Sequence, residues 1–358
     1  MLGKVLFDVQ HLYYLPQYIP VARTLLKAGV LCEFVLHQEL GLDALKQEVI
    51  EKEGFQFQFI SNKDETLSLY SKSNADWIVF GNRPYFNADQ KKHITARLAL
   101  MLHGIGPKAC YYDVSEFPFD VRFVEGESRL ERLKEMYPDR HFINSGYAKL
   151  DPIFNETEQP IDLSTLGLDS KKPTVLYAPT FFPSSIECFP PHWPEMLSNV
   201  NIIVKPHFFS LTKPKYKSQK QRVEAWDRYD NVYLANAKDF DLLPFMQVSD
   251  IMLSDASSAI FEFASIDRPI VWCDFFHTRW NYSGLFSFRL KKRLDPDIAL
   301  FNQLSHRASN AFQANMLIVE CLKQPMELSA NRQKITQEMV GITDGKCSNR
   351  IAEYLTTQ

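Results

Sequence analysis

In the stretch LSDASSAIFEFASIDRPIVW, residues 253–272, an aspartate and two serines stand between an apolar run and a helix-like segment. A helix beginning near Ser257 or Ser258 presents backbone N–H groups without intrahelical partners and the positive end of its dipole. Serine hydroxyls there add donors suited to a phosphate, and Glu262, about one turn on, could accept from a ribose or glycerol hydroxyl. The competing reading is structural: Asp255 and Ser257 cap the helix and Glu262 lies on a solvated face. His103 follows the apolar run LALML and precedes GIGPK, which places it at a strand tip beside flexible backbone. An imidazole with an ordinary pKa of ~6.5 could act there as general base on a hydroxyl, although lone histidines are often structural. His207 ends a second run, NIIVKPH, with Lys205 two residues earlier and therefore on the same strand face. Together they could neutralise a diphosphate and donate to a leaving group.

Other polar clusters carry weaker signals. DFD at 239–241 superficially matches a metal-binding Asp-x-Asp, but it precedes the apolar LLPFM, so helix capping accounts for it and no metal is assigned. The basic run KPKYKSQKQR, residues 213–222, is a solvated face or a docking strip for an anionic acceptor or membrane surface. FFPSSIECFPPHWP, residues 181–194, is too long and aromatic for a simple turn and reads as an acceptor-side flap. No Gly-x-Gly-x-x-Gly or Walker motif occurs, which argues against a dinucleotide or ATP; no cofactor is expected.

These residues need a frame to hold them. Apolar runs at Lys4–Val9, LCEFVLH, FQFQFI, DWIVFG, RLALMLHG, VRFVEG and HFINSG alternate with helical stretches such as YLPQYIPVARTLLKAG, which Gly29 stops, and SRLERLKEMY. That alternation predicts an open α/β sheet. Between Asp151 and Pro173 it lapses into polar and turn residues, then restarts with TVLYA, NIIVKPH, NVYLA, DIMLSD and PIVWC. Helix-like segments at Asn310–Leu322 and Ser348–Leu355 close the chain. With 358 residues, two domains are expected: 1–155, 173–330, and a C-terminal helical segment, 331–358, packing back on the first. Tandem sheets of this kind place ligands in a cleft lined by the carboxyl ends of strands.

Composition excludes several classes. Hydrophobic residues at 45%, charged residues at 23% and a net charge of -3 give no electrostatic reason for a nucleic-acid partner. Six cysteines without a C-x-x-C pair argue against a zinc site or a disulfide framework and favour a reducing cytoplasm. The amino terminus turns polar too early for a signal peptide, and no apolar run of ~18 residues occurs. Contact with a membrane, if made, is expected at its surface.

Five segments, in order, resemble the CDP-glycerol glycerophosphotransferases of the teichoic-acid type. LHGIGPK resembles their His-Gly motif, VLYAPTF their Tyr-Ala-Pro-Thr strand, VKPH their Lys-Pro-His, LSDASSAIFEFASIDRPIVW their Asp-x-Ser-Ser helix start, and DGKCSNRI, residues 344–351, their closing Asp-Gly-Lys and Arg. The likeness covers roughly residues 98–352. It implies a GT-B fold: two Rossmann-like domains, the first for the acceptor and the second for a cytidine diphosphate donor. It further implies that His103 takes the acceptor proton during attack on the β-phosphorus of CDP-glycerol, that CMP leaves, and that His207 and Lys205 steady the diphosphate. Gly104, Thr180, Asp255, Ser257, Ser258 and Glu262 join Lys205 as donor-binding positions by the same resemblance, with no obligatory metal in the protein. Ile105-Gly106 stands where the family has Thr-Pro, Phe182-Pro183 where it has an arginine after Tyr-Ala-Pro-Thr, and Ala256 where it has tyrosine. The transferred group could therefore be another polyol phosphate or a sugar. The expected partners are a CDP-linked donor and a glycan or lipid-linked acceptor; the alternatives are a GT-B glycosyltransferase, a UDP-sugar 2-epimerase, or a noncatalytic binding protein on the same frame.

Overall fold

The computed structural model describes residues 3–106, 110–277 and 296–358. Each half is built on a wholly parallel sheet. The first contains β1 (Lys4–Val9), β2 (Leu31–His37), β3 (Gln56–Ile60), β4 (Trp77–Phe80), β5 (Arg97–Met101), β6 (Val121–Val124) and β7 (Phe142–Asn144) in the order β3-β2-β1-β4-β5-β6-β7. The second contains β8 (Thr174–Tyr177), β9 (Asn201–Val204), β10 (Val232–Leu234), β11 (Ile251–Ser254), β12 (Ile270–Cys273) and β13 (His306–Ala308) in the order β10-β9-β8-β11-β12-β13. Parallel strands are covered on both faces, so the central ones read as unbroken apolar runs. WIVF, NIIV, IMLS and IVWC are buried at every position.

Both sheets reverse their winding direction once, between β1 and β4 in the first and between β8 and β11 in the second. Helices that would have to cross each other on one face diverge at such a point, leaving a crevice at the carboxyl ends of the strands.

The chain divides into one compact unit of Met1–Ile105, Cys110–Thr157 and Gln337–Gln358 and a second of Gly106–Ala109 and Glu158–Thr336. The boundary near the end falls inside the helix Ser329–Met339. The DGKCSNR motif then has a structural use within the first unit. Asp344 pairs with Arg350 at 3.0 Å, Arg350 Nε donates to the Ser145 carbonyl at 2.9 Å, and the Asp151 carboxylate accepts the N–H groups of Cys347 and Ser348 at 3.0 and 2.6 Å. Asp151 thus satisfies the open end of the last helix, Cys347–Thr357.

Three expectations change. The edge strand β13, SHRAS in sequence, was not expected, because three residues with a half-exposed pattern carry no apolar run. NIIVKPH is a strand only to Val204, since Pro206 has no N–H for the ladder; Lys205 and His207 lie beyond it, and strand alternation does not set their directions. The 181–194 stretch is no flap. Phe182, Ile186, Phe189 and Trp193 are buried, and the last three join Tyr177 and Trp226 in the core of the second unit. Aromatic side chains of this size bury most of their area by covering the sheet, which ties the loop down.

Candidate functional site

In the second unit the singled-out residues come from three loops, those after β8 and β11, which flank the reversal of winding, and that after β9, the neighbour of β8. Backbone bonds lock these loops together. Lys205 N donates to the Tyr177 carbonyl at 2.8 Å, His207 N to Pro179 at 3.2 Å, Ala178 N to Leu253 at 2.9 Å, and the Ser254 hydroxyl to the Ala178 carbonyl at 2.7 Å. Thr180, Lys205, His207, Asp255, Ser257 and Ser258 are therefore neighbours at one strand-end crevice, although they span 79 positions of sequence from 180 to 258.

His207 opens the short helix Phe208–Thr212, and its Nδ1 accepts the N–H of Phe209 at 3.1 Å. A neutral imidazole that accepts at Nδ1 carries its proton on Nε2. The ring is half-buried, with Phe181 and Phe209 at centroid distances of 4.6 and 4.9 Å. His207 thus carries its ring proton at Nε2.

The helix after Asp255 runs only over Ala259–Ala264, with Ser258 as its N-cap residue in helical backbone conformation. Six residues build a smaller dipole than a long helix, so attraction for an anion there rests on the first-turn N–H groups and the serine hydroxyls. Ser257 and Ser258 are half-buried, and the Ser257 hydroxyl accepts from Ala259 N at 3.3 Å. Gly106, which belongs to this unit, closes on the turn: a Cβ on it would stand 3.2 Å from Ser258 N. Glu262 is buried at 2% exposure, not solvated.

Asp255 does not cap the helix. Its Oδ2 accepts Thr180 N at 3.0 Å, and its Oδ1 accepts the N–H and hydroxyl of Ser185 at 3.1 and 2.5 Å. Ser185 in turn meets the buried Tyr177 hydroxyl at 2.8 Å. Burial pushes the Asp255 carboxyl up to about 7 against the pull of these donors. The sequence reading missed Ser185: nothing local marks a serine 70 residues from its partner. Among the described residues no group of three or more His, Cys, Asp or Glu could hold a metal ion. Asp241 of DFD accepts Leu243 N at 3.1 Å at the start of the helix Leu243–Val248, and Asp239 accepts from Asn236 N and the Tyr233 hydroxyl, both at 2.8 Å.

In the first unit, His103 lies just past β5, half-buried, and Gly104 beside it is buried. His103 Nδ1 lies 2.8 Å from the Gly81 carbonyl. A carbonyl can only accept, so Nδ1 carries the proton and Nε2 the basic lone pair of the neutral ring. This tautomer is opposite to that of His207, and it is the one a base acting through Nε2 requires. The loop after His103 is tied through Ile105, whose carbonyl accepts from Arg129 Nη2 at 3.1 Å. Arg129 is fully buried and pairs with Glu125 at 2.8 Å, whose own carboxyl burial pushes up to about 7.

The family described as CDP-Glycerol:Poly(glycerophosphate) glycerophosphotransferase matches residues 124–357, well over half of the chain. The chain belongs to that family. Among its relatives, a teichoic acid glycerol-phosphate primase of Bacillus spizizenii is 28% identical over 159 residues, 43% of this chain and 40% of that protein. The corresponding primase of Bacillus subtilis is 25% identical over 157 residues, 43% of this chain and 39% of that protein. The matches therefore take in less than half the length of these relatives. In three dimensions the chain is similar to the wall teichoic acid polymerase TagF, with a TM-score of 0.67 at 13% identity, covering 99% of this chain and 88% of that one. It is also similar to a UDP-GlcNAc 2-epimerase from Neisseria meningitidis bound to UDP-GlcNAc, with a TM-score of 0.64 at 13% identity, covering 99% and 100%. Both likenesses are of fold, two parallel-sheet α/β domains of the GT-B type. The span matched to the glycerophosphotransferase family contains Thr180, Lys205, His207, Asp255, Ser257, Ser258 and Glu262, whereas His103, Gly104 and Gly106 precede it.

Proposed function

We propose that this glycerophosphotransferase-family chain moves glycerol phosphate, or a related polyol phosphate, from a CDP-linked donor to a hydroxyl of a cell-surface glycan or lipid-linked acceptor. The observation that carries the reading is the gathering of Lys205, His207, Ser257 and Ser258 at the reversal point of the second sheet, a set of donors and positive charge matched to a diphosphate. Ser257 and Ser258 hold the diphosphate oxygens with hydroxyl and backbone donors, Lys205 offsets their charge, and Thr180 and Glu262 bound the donor pocket. Asp255 acts at one remove by fixing the Thr180 loop. His103 Nε2 takes the proton of the acceptor hydroxyl, and Gly104 beside it borders the donor. The acceptor oxygen bonds to the β-phosphorus, the bond from that phosphorus to the bridging oxygen breaks, and CMP leaves with the electron pair, stabilised by the His207 Nε2 proton. Fixed donors aimed at the transferring phosphoryl group lower the barrier without a covalent intermediate.

A cytoplasmic location with surface contact to a membrane belongs to the same proposal. Lys213, Lys215, Lys217 and Lys220 are exposed along the basic segment and suit an anionic headgroup layer. Among the described residues no helix is long and apolar enough to cross a membrane.

The test is nucleotide release from CDP-glycerol, CMP-Kdo and UDP-GlcNAc in the presence of a glycan acceptor. CMP appearing from CDP-glycerol, and lost in His103→Ala, is the expected result. Indifference to CDP-glycerol with turnover of UDP-GlcNAc would replace this reading by a glycosyltransferase or 2-epimerase.

A further inference from the structure

We infer that Gly81 and Tyr14 are positioning residues for His103, locking the tautomer and plane of its imidazole; this rests on the assignment of His103 as the base. His103 is packed edge-on by Tyr13 and Tyr111, at centroid distances of 5.0 and 5.6 Å, but its orientation is set by other contacts. Its Nδ1 donates to the Gly81 carbonyl at 2.8 Å, its ring stacks on Tyr14 at a centroid distance of 4.6 Å and an interplanar angle of 13°, and its own carbonyl accepts the Tyr147 hydroxyl at 3.0 Å. Tyr14, from the turn after β1, and Gly81, directly after β4, come from the two strands that flank the reversal point of the first sheet.

Glycine is required at position 81 for space rather than for backbone conformation, since it is not among the positive-φ glycines. A Cβ there would stand 2.8 Å from Tyr14 Cδ2, 2.9 Å from Tyr14 Cε2 and 2.8 Å from the Tyr18 hydroxyl. Neither ring has room to retreat. Both are fully buried, and the Tyr18 hydroxyl donates to the Asp8 carbonyl at 3.1 Å. A methyl group at position 81 must therefore push Tyr14 off the imidazole or move the carbonyl that holds Nδ1.

The carbonyl matters in both protonation states. In the neutral ring it favours the Nδ1–H tautomer and keeps the lone pair at Nε2. When Nε2 takes the acceptor proton, the Nδ1–H···O bond becomes charge-assisted and strengthens, so the same contact stabilises the product of proton abstraction. A neutral carbonyl thus supplies the orienting function that a carboxylate supplies in serine hydrolases. The stacked Tyr14 ring fixes the plane in which that lone pair points.

The experiment combines turnover with nitrogen NMR of the histidine side chains in the full-length protein, the His103 resonances being assigned by their absence in His103→Gln. The wild type should show the Nδ1–H tautomer at neutral to alkaline pH. Gly81→Ala should lower kcat about a hundredfold, the scale of a misplacement near 1 Å, leave the donor KM nearly unchanged, and mix the tautomers. Tyr14→Phe should retain kcat, and Tyr14→Leu should lose it in part. An Nε2–H tautomer in the wild type overturns the inference and needs no variant to fold. A folded Gly81→Ala with unchanged kcat and tautomer also overturns it. Full turnover in His103→Ala would instead sink the base assignment, while the tautomer measurement would still report whether Gly81 and Tyr14 orient the ring.

Discussion

Replacing Asp255 by asparagine should remove a pH dependence from the stability of the second unit. The carboxyl is 3% exposed and accepts hydrogen bonds from Thr180 N and from the N–H and hydroxyl of Ser185, yet burial raises it from 3.8 to about 7. A carboxyl raised in the folded state binds its proton more tightly there than in the unfolded chain. Its stabilisation is therefore fully present below the unfolded value and is lost as pH rises through about 7. The difference corresponds to about 4 kcal/mol at 1.36 kcal/mol per pH unit, of which about 3 kcal/mol is lost between pH 5 and pH 8. Asparagine does not titrate and leaves one of the Thr180 or Ser185 donors facing an amide NH2, a cost of about 1–3 kcal/mol at every pH. Wild type should exceed Asp255→Asn in stability at pH 5, and the gap should close or invert by pH 8. Urea unfolding followed by tryptophan fluorescence reads this directly, because Trp193 and Trp226 lie in the core of this unit. Parallel pH profiles for the two proteins would refute the claim that desolvation governs this carboxyl.

His207→Ala should depress CMP release and cost about 1 kcal/mol through the lost contact to Phe209 N, while His207→Gln, which keeps a donor near the Nε2 position, should recover part of the turnover. Ser257→Ala and Ser258→Ala should each weaken CDP-glycerol binding about tenfold in calorimetric titration, the loss of about one hydrogen bond to a charged group. Gly126 has φ +75°, and a Cβ on it would overlap the Glu338 carbonyl. Gly126→Ala should therefore lower the thermal midpoint of the protein through strain in the first unit, by more than about 1 kcal/mol.

Much of the frame is legible along the chain because parallel strands are covered on both sides. That requirement writes itself as short apolar runs, and β1 and β2 coincide with the expected segments from end to end. Edges and loops escaped the same reading. β13 is too short and too polar to stand out, and the aromatic 181–194 segment resembles a mobile loop until the sheet it covers is in view. At the candidate site, types and spacing pointed to His103, His207, Lys205 and the two serines, whereas Ser185, Gly81 and Tyr14 carry no mark in sequence. Their roles arise from contacts between strands far apart in the chain.

The linear order of residues was enough to specify two α/β halves, the strand tips that bear the polar groups, and kinship with a phosphotransferase family. Tertiary structure alone decided the proton positions on the two imidazoles, because a tautomer follows from whether its neighbour donates or accepts. At His207 the neighbour is a donating backbone N–H, at His103 an accepting carbonyl. It also decided that Asp255 is a buried clasp rather than a helix cap. Hydrogen-bond partners and burial are set by which strands lie side by side, and sheet order in a parallel fold is not the order of the chain.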